Sequence, residues 1–220
     1  VTDSIRISAC LDHTLLRPDA TARDIEQLCA EARENRFFAV CVHGSWVKTA
    51  RRALQGSDCK VVSVAGFPLG AMSAEAKCFE TKSAIAEGAQ EIDFVLNVGR
   101  LKQGDRNYVL EEIRNVVKAA GGLPVKVILE VCLLGVEEKI QACRLAMEGG
   151  AQFVKTSTGF GSGGATLADV ELMRRTVGPD FGVKASGGIR DLETALAMIQ
   201  AGATRIGTSA SVAIVKGEQG

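Results

Sequence analysis

The chain has 220 residues, enough for one sizeable core, with 26 acidic and 26 basic side chains and 46% hydrophobic residues. That balance, with no basic stripe or charged tail, excludes nucleic acid as the expected partner, and no apolar run is long enough to span a bilayer. Residues 1–10 hold no apolar segment of signal-peptide type, and seven scattered cysteines without a Cys-x-x-Cys pair read as reduced core residues, so a cytoplasmic location is expected.

Strands and helices alternate from residue 5 onward. Leu11-Asp12-His13-Thr14 reads as the first strand, and Thr21 caps a helix whose apolar face is Ile25, Leu28, Cys29 and Ala32. Residues 38–42 form a second strand, followed by a helix over 46–54 that stops at Gly56. Residues 60–64 form the third, opening into Ala65-Gly66-Phe67-Pro68-Leu69-Gly70, and Ser73 caps a helix closed by Gly88. Strands four and five are predicted over 91–97 and 125–130, with helices over 108–119 and up to Gly149-Gly150. Strand six carries Lys155, and Thr166 caps the helix after it. Residues 181–185 form strand seven, with Asp191 capping its helix; residues 204–207 form strand eight, with a last helix from about Ser209. Eight strand–helix units leave about 27 residues each, which suits a plain eightfold (β/α)8 TIM barrel. No linker divides the chain, so residues 1–220 are read as one domain.

Three segments align without gaps: Gly88-Ala89-Gln90-Glu91-Ile92-Asp93, Gly150-Ala151-Gln152-Phe153-Val154-Lys155 and Gly202-Ala203-Thr204-Arg205-Ile206-Gly207. Each leaves a helix end and enters an even-numbered strand. Alternate strands of such a barrel share a layer, so Asp93 and Lys155 are expected to face one another, with Gly207 leaving room beside them.

The stretch Phe153-Val154-Lys155-Thr156-Ser157-Thr158-Gly159 places a lysine at the end of an apolar strand, where an unpartnered ammonium is costly. The pattern recurs at Phe181-Gly182-Val183-Lys184, followed by Ala185-Ser186-Gly187-Gly188. One such lysine reads as a side chain snorkelling to water. Two suggest an amine made nucleophilic by desolvation and a neighbouring cation. A lysine of this kind forms an iminium with a carbonyl and draws electrons out of a carbon–carbon bond. It needs a neutral amine near pH 7, favoured here by repulsion from Lys184, and a proton shuttle. Asp93 fits that place, with Asp12 in support; the plain alternative for Asp93 is a counter-ion.

Glycines cluster after strands six, seven and eight, at Gly159 to Gly164, Gly187-Gly188 and Gly207, with Ser209 beyond. Loops at those places commonly hold a phosphate with backbone N–H groups; otherwise they only make short turns. Two rival motifs fail. Gly159-x-Gly161-x-x-Gly164 matches the dinucleotide fingerprint, but the next strand ends in Lys184 rather than an acid. His13 and His43 are too few for a catalytic zinc site, so no metal and no cofactor are expected.

Taken together these segments, with Arg205-Ile206-Gly207-Thr208-Ser209, resemble the 2-deoxyribose-5-phosphate aldolase family of class I, Schiff-base aldolases. The likeness runs from about Leu11 to Val215. The resemblance implies reversible cleavage of 2-deoxy-D-ribose 5-phosphate to D-glyceraldehyde 3-phosphate and acetaldehyde, in deoxyribonucleotide catabolism. By it Lys155 forms the Schiff base, Lys184 lowers its proton affinity, and Asp93 relays protons with Asp12. Lys126, Thr156 and Cys41 fall at the substrate pocket, Cys41 more as structure than as catalyst. Gly159, Gly187, Gly188, Gly207 and Ser209 fall at the phosphate. The partners implied are a phosphorylated sugar and small aldehydes, with a homodimer or higher homo-oligomer expected from the size of the barrel. Phe160 and Ala210 depart from relatives that carry a lysine and a second serine there, and the single tyrosine, Tyr108, cannot serve as a C-terminal one. Another class I aldolase or a transaldolase would differ in its aldehyde donor; a non-catalytic phosphate-binding barrel would bind substrate without a covalent adduct.

Overall fold

The structure is a computed structural model and describes residues 6–217. Eight parallel strands follow one another around a closed barrel: β1 Leu11–Thr14, β2 Ala39–Val42, β3 Lys60–Ala65, β4 Glu91–Val95, β5 Val125–Ile128, β6 Phe153–Lys155, β7 Gly182–Ser186 and β8 Arg205–Thr208. The last strand pairs with the first, Asp12 opposite Gly207. The helices are α1 Ala22–Glu34, α2 Val47–Ala53, α3 Ala74–Ala86, α4 Val98–Lys102, α5 Arg106–Ala119, α6 Val136–Glu148, α7 Leu167–Val177, α8 Leu192–Gln200 and α9 Ser211–Gly217. No described helix is long and apolar enough to cross a membrane. The expected (β/α)8 barrel is the fold observed.

Local chemistry fixes the helix starts. Thr21 and Asp24 form a reciprocal capping box on α1, and Ser73, Thr166 and Asp191 each accept a hydrogen bond from the third backbone N–H of their helix. Ile25, Leu28, Cys29 and Ala32 are the buried face of α1, as their spacing predicts. Outward-facing strand residues such as Val40, Ile92, Val127 and Ile206 join the helix faces in one apolar shell. Inside the barrel a separate, smaller apolar cluster of Leu16, Ala39, Cys41, Val62 and Val64 covers only the β2–β3 side. Most of the rest of the interior is charged.

Most boundaries lie within a residue or two of the sequence reading, the short helix α4 was not expected, and three of the differences have a local cause. β4 stops at Val95 because Asn97 turns to cap α4, its side chain accepting from Arg100 N at 3.1 Å. β5 stops at Ile128 because Glu130 takes a left-handed backbone, with φ 54°. The last helix starts at Ser211, not Ser209. Thr208 Oγ1 accepts from Ala210 N at 2.9 Å and donates to Ile189 O, which inserts a turn between strand and helix.

Candidate active site

Strand register, with the stagger that closes such a barrel, sorts the inward residues into layers. Ala39, Glu91, Phe153 and Arg205 lie nearest the N-terminal mouth. Asp12, Val62, Lys126 and Lys184 follow. Cys41, Asp93, Lys155 and Gly207 lie above them, towards the C-terminal ends of the strands. Asp93, Lys155 and Gly207 thus share a layer, as the internal repeat predicts. Gly207 is needed there: a Cβ would stand 2.9 Å from Lys184 Cε, so any side chain would collide with the lysine as it crosses the barrel.

Barrel interiors are ordinarily filled by branched apolar side chains. This one holds four cations (Lys126, Lys155, Lys184, Arg205) and three carboxylates (Asp12, Glu91, Asp93) in one network. Asp93 Oδ2 accepts from Lys155 Nζ at 2.9 Å and from Lys184 Nζ at 2.8 Å, while Asp93 Oδ1 accepts from Lys126 Nζ at 2.7 Å. Lys184 also donates to Asp12. Arg205 bridges Asp12 and Glu91 at 2.9 and 3.2 Å, and Lys126 bridges Glu91 and Asp93. Each of Lys126, Lys184 and Arg205 therefore has two carboxylate partners. Lys155 has one, and that one is shared three ways.

Burial acts to raise the pKa of Asp93, but the three lysine ammoniums outweigh it and hold the acid well below the usual carboxylate range. Burial acts to lower the pKa of Lys184, but Asp12 and Asp93 outweigh it and hold the amine above the ordinary lysine value. Asp12 behaves like Asp93: burial is overcome by Lys184, Arg205 and Lys126, and its pKa is lowered. These directions favour the charged forms of Lys184, Asp12 and Asp93.

A cavity of about 350 Å³ opens above this network at the C-terminal ends of β1, β6, β7 and β8. It is bounded by Thr14 to Arg17, Thr158 to Phe160, Ser186 to Arg190 and Gly207 to Ser209. Lys155 is the one lysine among the described residues that lines it. Gly159, Gly187, Gly188, Gly207 and Ser209 all lie on its wall, and the backbone at Gly159, Gly187 and Gly188 has φ of 85°, 91° and 83°, a conformation suited to glycine. A Cβ on Gly164 would run into the carbonyl of Gly187, so the loops after β6 and β7 touch through backbone. Lys184, Asp93 and Asp12 lie beneath the floor. Lys126, Thr156 and Cys41 do not line the cavity. Lys126 is fully buried between Glu91 and Asp93; Thr156 Oγ1 donates to Ser186 O at 3.0 Å and accepts from Ser186 N, tying β6 to β7. Cys41 is fully buried, and burial pushes its thiol pKa up.

Sequence reading passed over several groups. Arg205 and Glu91 complete the charge network; both fall in the aligned repeat, where an Arg and a Glu at strand starts, two residues before Gly207 and Asp93, were the available signal. Arg190 and Arg17 reach the cavity wall from loops whose path no periodicity encodes. Glu130, buried to 5% exposure, accepts from Thr158 Oγ1 and from Thr158 N at 3.4 Å. It links the end of β5 to the loop that carries Gly159 and Phe160. The two histidines serve packing and turns: His13 Nε2 is 2.8 Å from Glu31 Oε2, with its ring against Phe37, and His43 Nε2 is 2.9 Å from Leu16 O. Among the described residues no three His, Cys, Asp or Glu side chains gather as a metal ligand set.

The DeoC/LacD family aldolase profile matches residues 7–217. The deoxyribose-phosphate aldolase of Alkaliphilus oremlandii is 60% identical over 216 residues, covering 98% of this chain and 97% of its own. That of Streptococcus uberis is 58% identical over 214 residues, with 97% of each chain covered. Among solved structures, the tetrameric deoxyribose phosphate aldolase of Aeropyrum pernix superposes with a TM-score of 0.90 at 32% identity, covering 97% of this chain and 91% of that one. A barrel filled with lysines and carboxylates, one amine of which reaches an open cavity, thus occurs in a chain that belongs to the DeoC/LacD family of aldolases.

Proposed function

We propose that this chain is a deoxyribose-phosphate aldolase of the lysine-dependent kind, cleaving 2-deoxy-D-ribose 5-phosphate reversibly to D-glyceraldehyde 3-phosphate and acetaldehyde. The observation that carries the chemistry is that Lys155 alone among the interior cations has a single carboxylate partner and alone lines the cavity. It is the cation least compensated, and losing its proton leaves the interior neutral. The free amine adds to the aldehyde carbon of the sugar and, with loss of water, gives an iminium. Electrons of the C2–C3 bond then flow into the iminium as the C3 hydroxyl gives up its proton. Glyceraldehyde 3-phosphate leaves; the enamine takes a proton at C2 and hydrolysis releases acetaldehyde. Asp93 is the acid–base group in reach of the Lys155 nitrogen. A carboxylate held so far down is a weak base, so its proton transfers are coupled to a lysine ammonium giving up its contact in the same step. Lys184, kept charged by Asp12 and Asp93, opposes protonation of Lys155.

The phosphate end of the cavity is assigned to Gly187, Gly188 and Gly207 to Ser209, with Gly159 across from them. Arg190, which has no ion pair among the described residues, supplies charge where Phe160 cannot. One barrel domain and a homo-oligomeric assembly complete the reading, the latter supported by the tetrameric Aeropyrum relative.

Borohydride reduction in the presence of acetaldehyde, followed by peptide mapping, tests the assignment. The adduct is expected on Lys155; an adduct mainly on Lys184 or Lys126 overturns it. Ser209→Glu sets a carboxylate at the phosphate end and removes a donor worth about 1.5–3 kcal/mol when bonded to a charge. KM for deoxyribose 5-phosphate should rise at least ~10-fold, while acetaldehyde trapping and cleavage of unphosphorylated deoxyribose persist. Equal loss of both substrates in a folded variant removes Ser209 from the phosphate.

A further inference from the structure

Beneath the layer of Lys155 and Asp93 lies a second set of charges, Glu91 and Arg205, that does not line the cavity. Glu91 accepts from Lys126 at 2.6 Å and from Arg205 at 3.2 Å, and those two cations are the ones that also hold Asp93 and Asp12. Arg205 lies over the ring of Phe38, 3.5 Å from its centroid, at the N-terminal mouth of the barrel. Both Glu91 and Arg205 are 6% exposed there. Among the described residues they are the charged side chains of the lowest layer, and they have opposite sign.

We infer that Glu91 and Arg205 are positioning residues that set, from the floor of the barrel, the pH at which Lys155 becomes free to react. The inference rests on Lys155 being the reacting amine. Glu91 draws Lys126 and Arg205 partly away from Asp93 and Asp12, so the carboxylates above remain available to the upper lysines. It also supplies one of the three negative charges that balance four positive ones. The other groups facing Lys155 are accounted for. Asp93 lies on β4, Lys126 on β5 and Lys184 on β7, with Asp12 behind Lys184 on β1. On β2 the Cys41 thiol stays neutral because burial opposes its ionisation. β3 contributes valines and β8 the side-chain-free Gly207. A change of one charge at Glu91 or Arg205 is therefore felt by Lys155 in a dry interior, where a unit charge a few ångströms off acts strongly.

The sign of the effect differs between the two residues, which separates an electrostatic role from mere support. Glu91→Gln leaves the interior with one more net positive charge, so the neutral amine is favoured and trapping should begin at lower pH. Arg205→Met removes a positive charge, so trapping should begin at higher pH. Each displacement is expected to be about one pH unit. The double variant restores the net charge and should return the onset to near its original place. Glu91→Asp, which keeps the charge, should leave it there throughout.

The experiment is acetaldehyde trapping with borohydride across a pH series, quantified on the Lys155 peptide, in the unaltered chain and these four variants. Onsets displaced in opposite directions by the two single variants, and restored in the double, establish the inference. Displacements in the same direction, or none, overturn it. If one single variant fails to fold, the sign of the other's displacement decides. A chain that traps nothing at Lys155 even when unaltered overturns the aldolase reading itself, an outcome distinct from unshifted variants.

Discussion

Two buried lysine–carboxylate systems coexist among the described residues, and only one of the two adjoins the cavity at the C-terminal ends of the strands. Between α3 and α5, Lys77 and Glu112 are fully buried with Nζ and Oε1 2.7 Å apart; Glu112 Oε2 accepts from Asn97 N at 2.9 Å. The pair is closed, one cation to one anion, with its free oxygen occupied by a helix-capping backbone. Burial pushes Lys77 down and Glu112 up, the attraction between them only partly opposing it. The barrel interior is open by contrast: three carboxylates shared unequally among four cations, with the least-shared amine at a cavity wall. A buried lysine is therefore no sign of reactivity by itself. What marks Lys155 is a deficit of partners combined with access, and Lys77 has neither.

The largest expected effect tests that contrast directly. Lys155→Leu should abolish trapping and turnover while the chain stays folded. Lys77→Leu should leave trapping in place and cost about 3–5 kcal/mol in urea unfolding, because Glu112 is left buried without its cation. Loss of trapping in a folded Lys77 variant would erase the distinction. Replacing both partners, Lys77→Met with Glu112→Leu, should recover most of that stability or exceed the original; a double variant as weak as the single would mean the pair itself stabilises the fold. Lys184→Leu removes the fixed cation beside Lys155, and trapping should begin at higher pH by about one unit, with adduct regained in alkaline buffer. Equal loss at every pH would make Lys184 a group that orients rather than repels.

The smallest effect concerns acid stability, where the two systems have opposite sign. Asp12 and Asp93 have lowered values in the folded chain. Their contribution is complete above the unfolded carboxylate value of about 4 and is lost as pH falls through the lowered folded values. Glu112 is raised, so its contribution is complete below the unfolded value and is lost as pH rises through the folded one. As pH rises above about 4 the urea midpoint of the unaltered chain should thus fall relative to that of the Lys77→Met, Glu112→Leu variant. Parallel slopes would refute the raised Glu112.

The barrel was legible because its signals are local. Capping residues Thr21, Ser73, Thr166 and Asp191 sit where helices start, and the strands between them are short apolar runs. The shared layer of Asp93, Lys155 and Gly207 was legible too, because a gapless repeat fixes register and register fixes level. What escaped depends on partners distant in sequence. That Lys126 lies beneath the cavity is decided by Glu91, which competes for its amine from the neighbouring strand. The left-handed turn at Glu130 is decided by Thr158, 28 residues on. The late start of α9 comes from a hydroxyl–carbonyl contact between Thr208 and Ile189, which no spacing rule encodes.

The seam between β1 and β8 has a consequence for how the chain is made. Asp12 meets Lys184 and Arg205 across 172 and 193 residues of sequence. During synthesis Asp12, Glu91 and Asp93 emerge before Lys184 and Arg205, with only Lys126 and Lys155 to answer them, so the unfinished interior has an excess of negative charge. Such a half-built barrel stays wet, since unmatched ions cannot shed their water. Drying of the interior must wait for the last strand, a long-range closure of the slow kind. The growing chain is thereby kept from sealing around an incomplete set of charges, and the charge set is complete only once β8 has paired with β1.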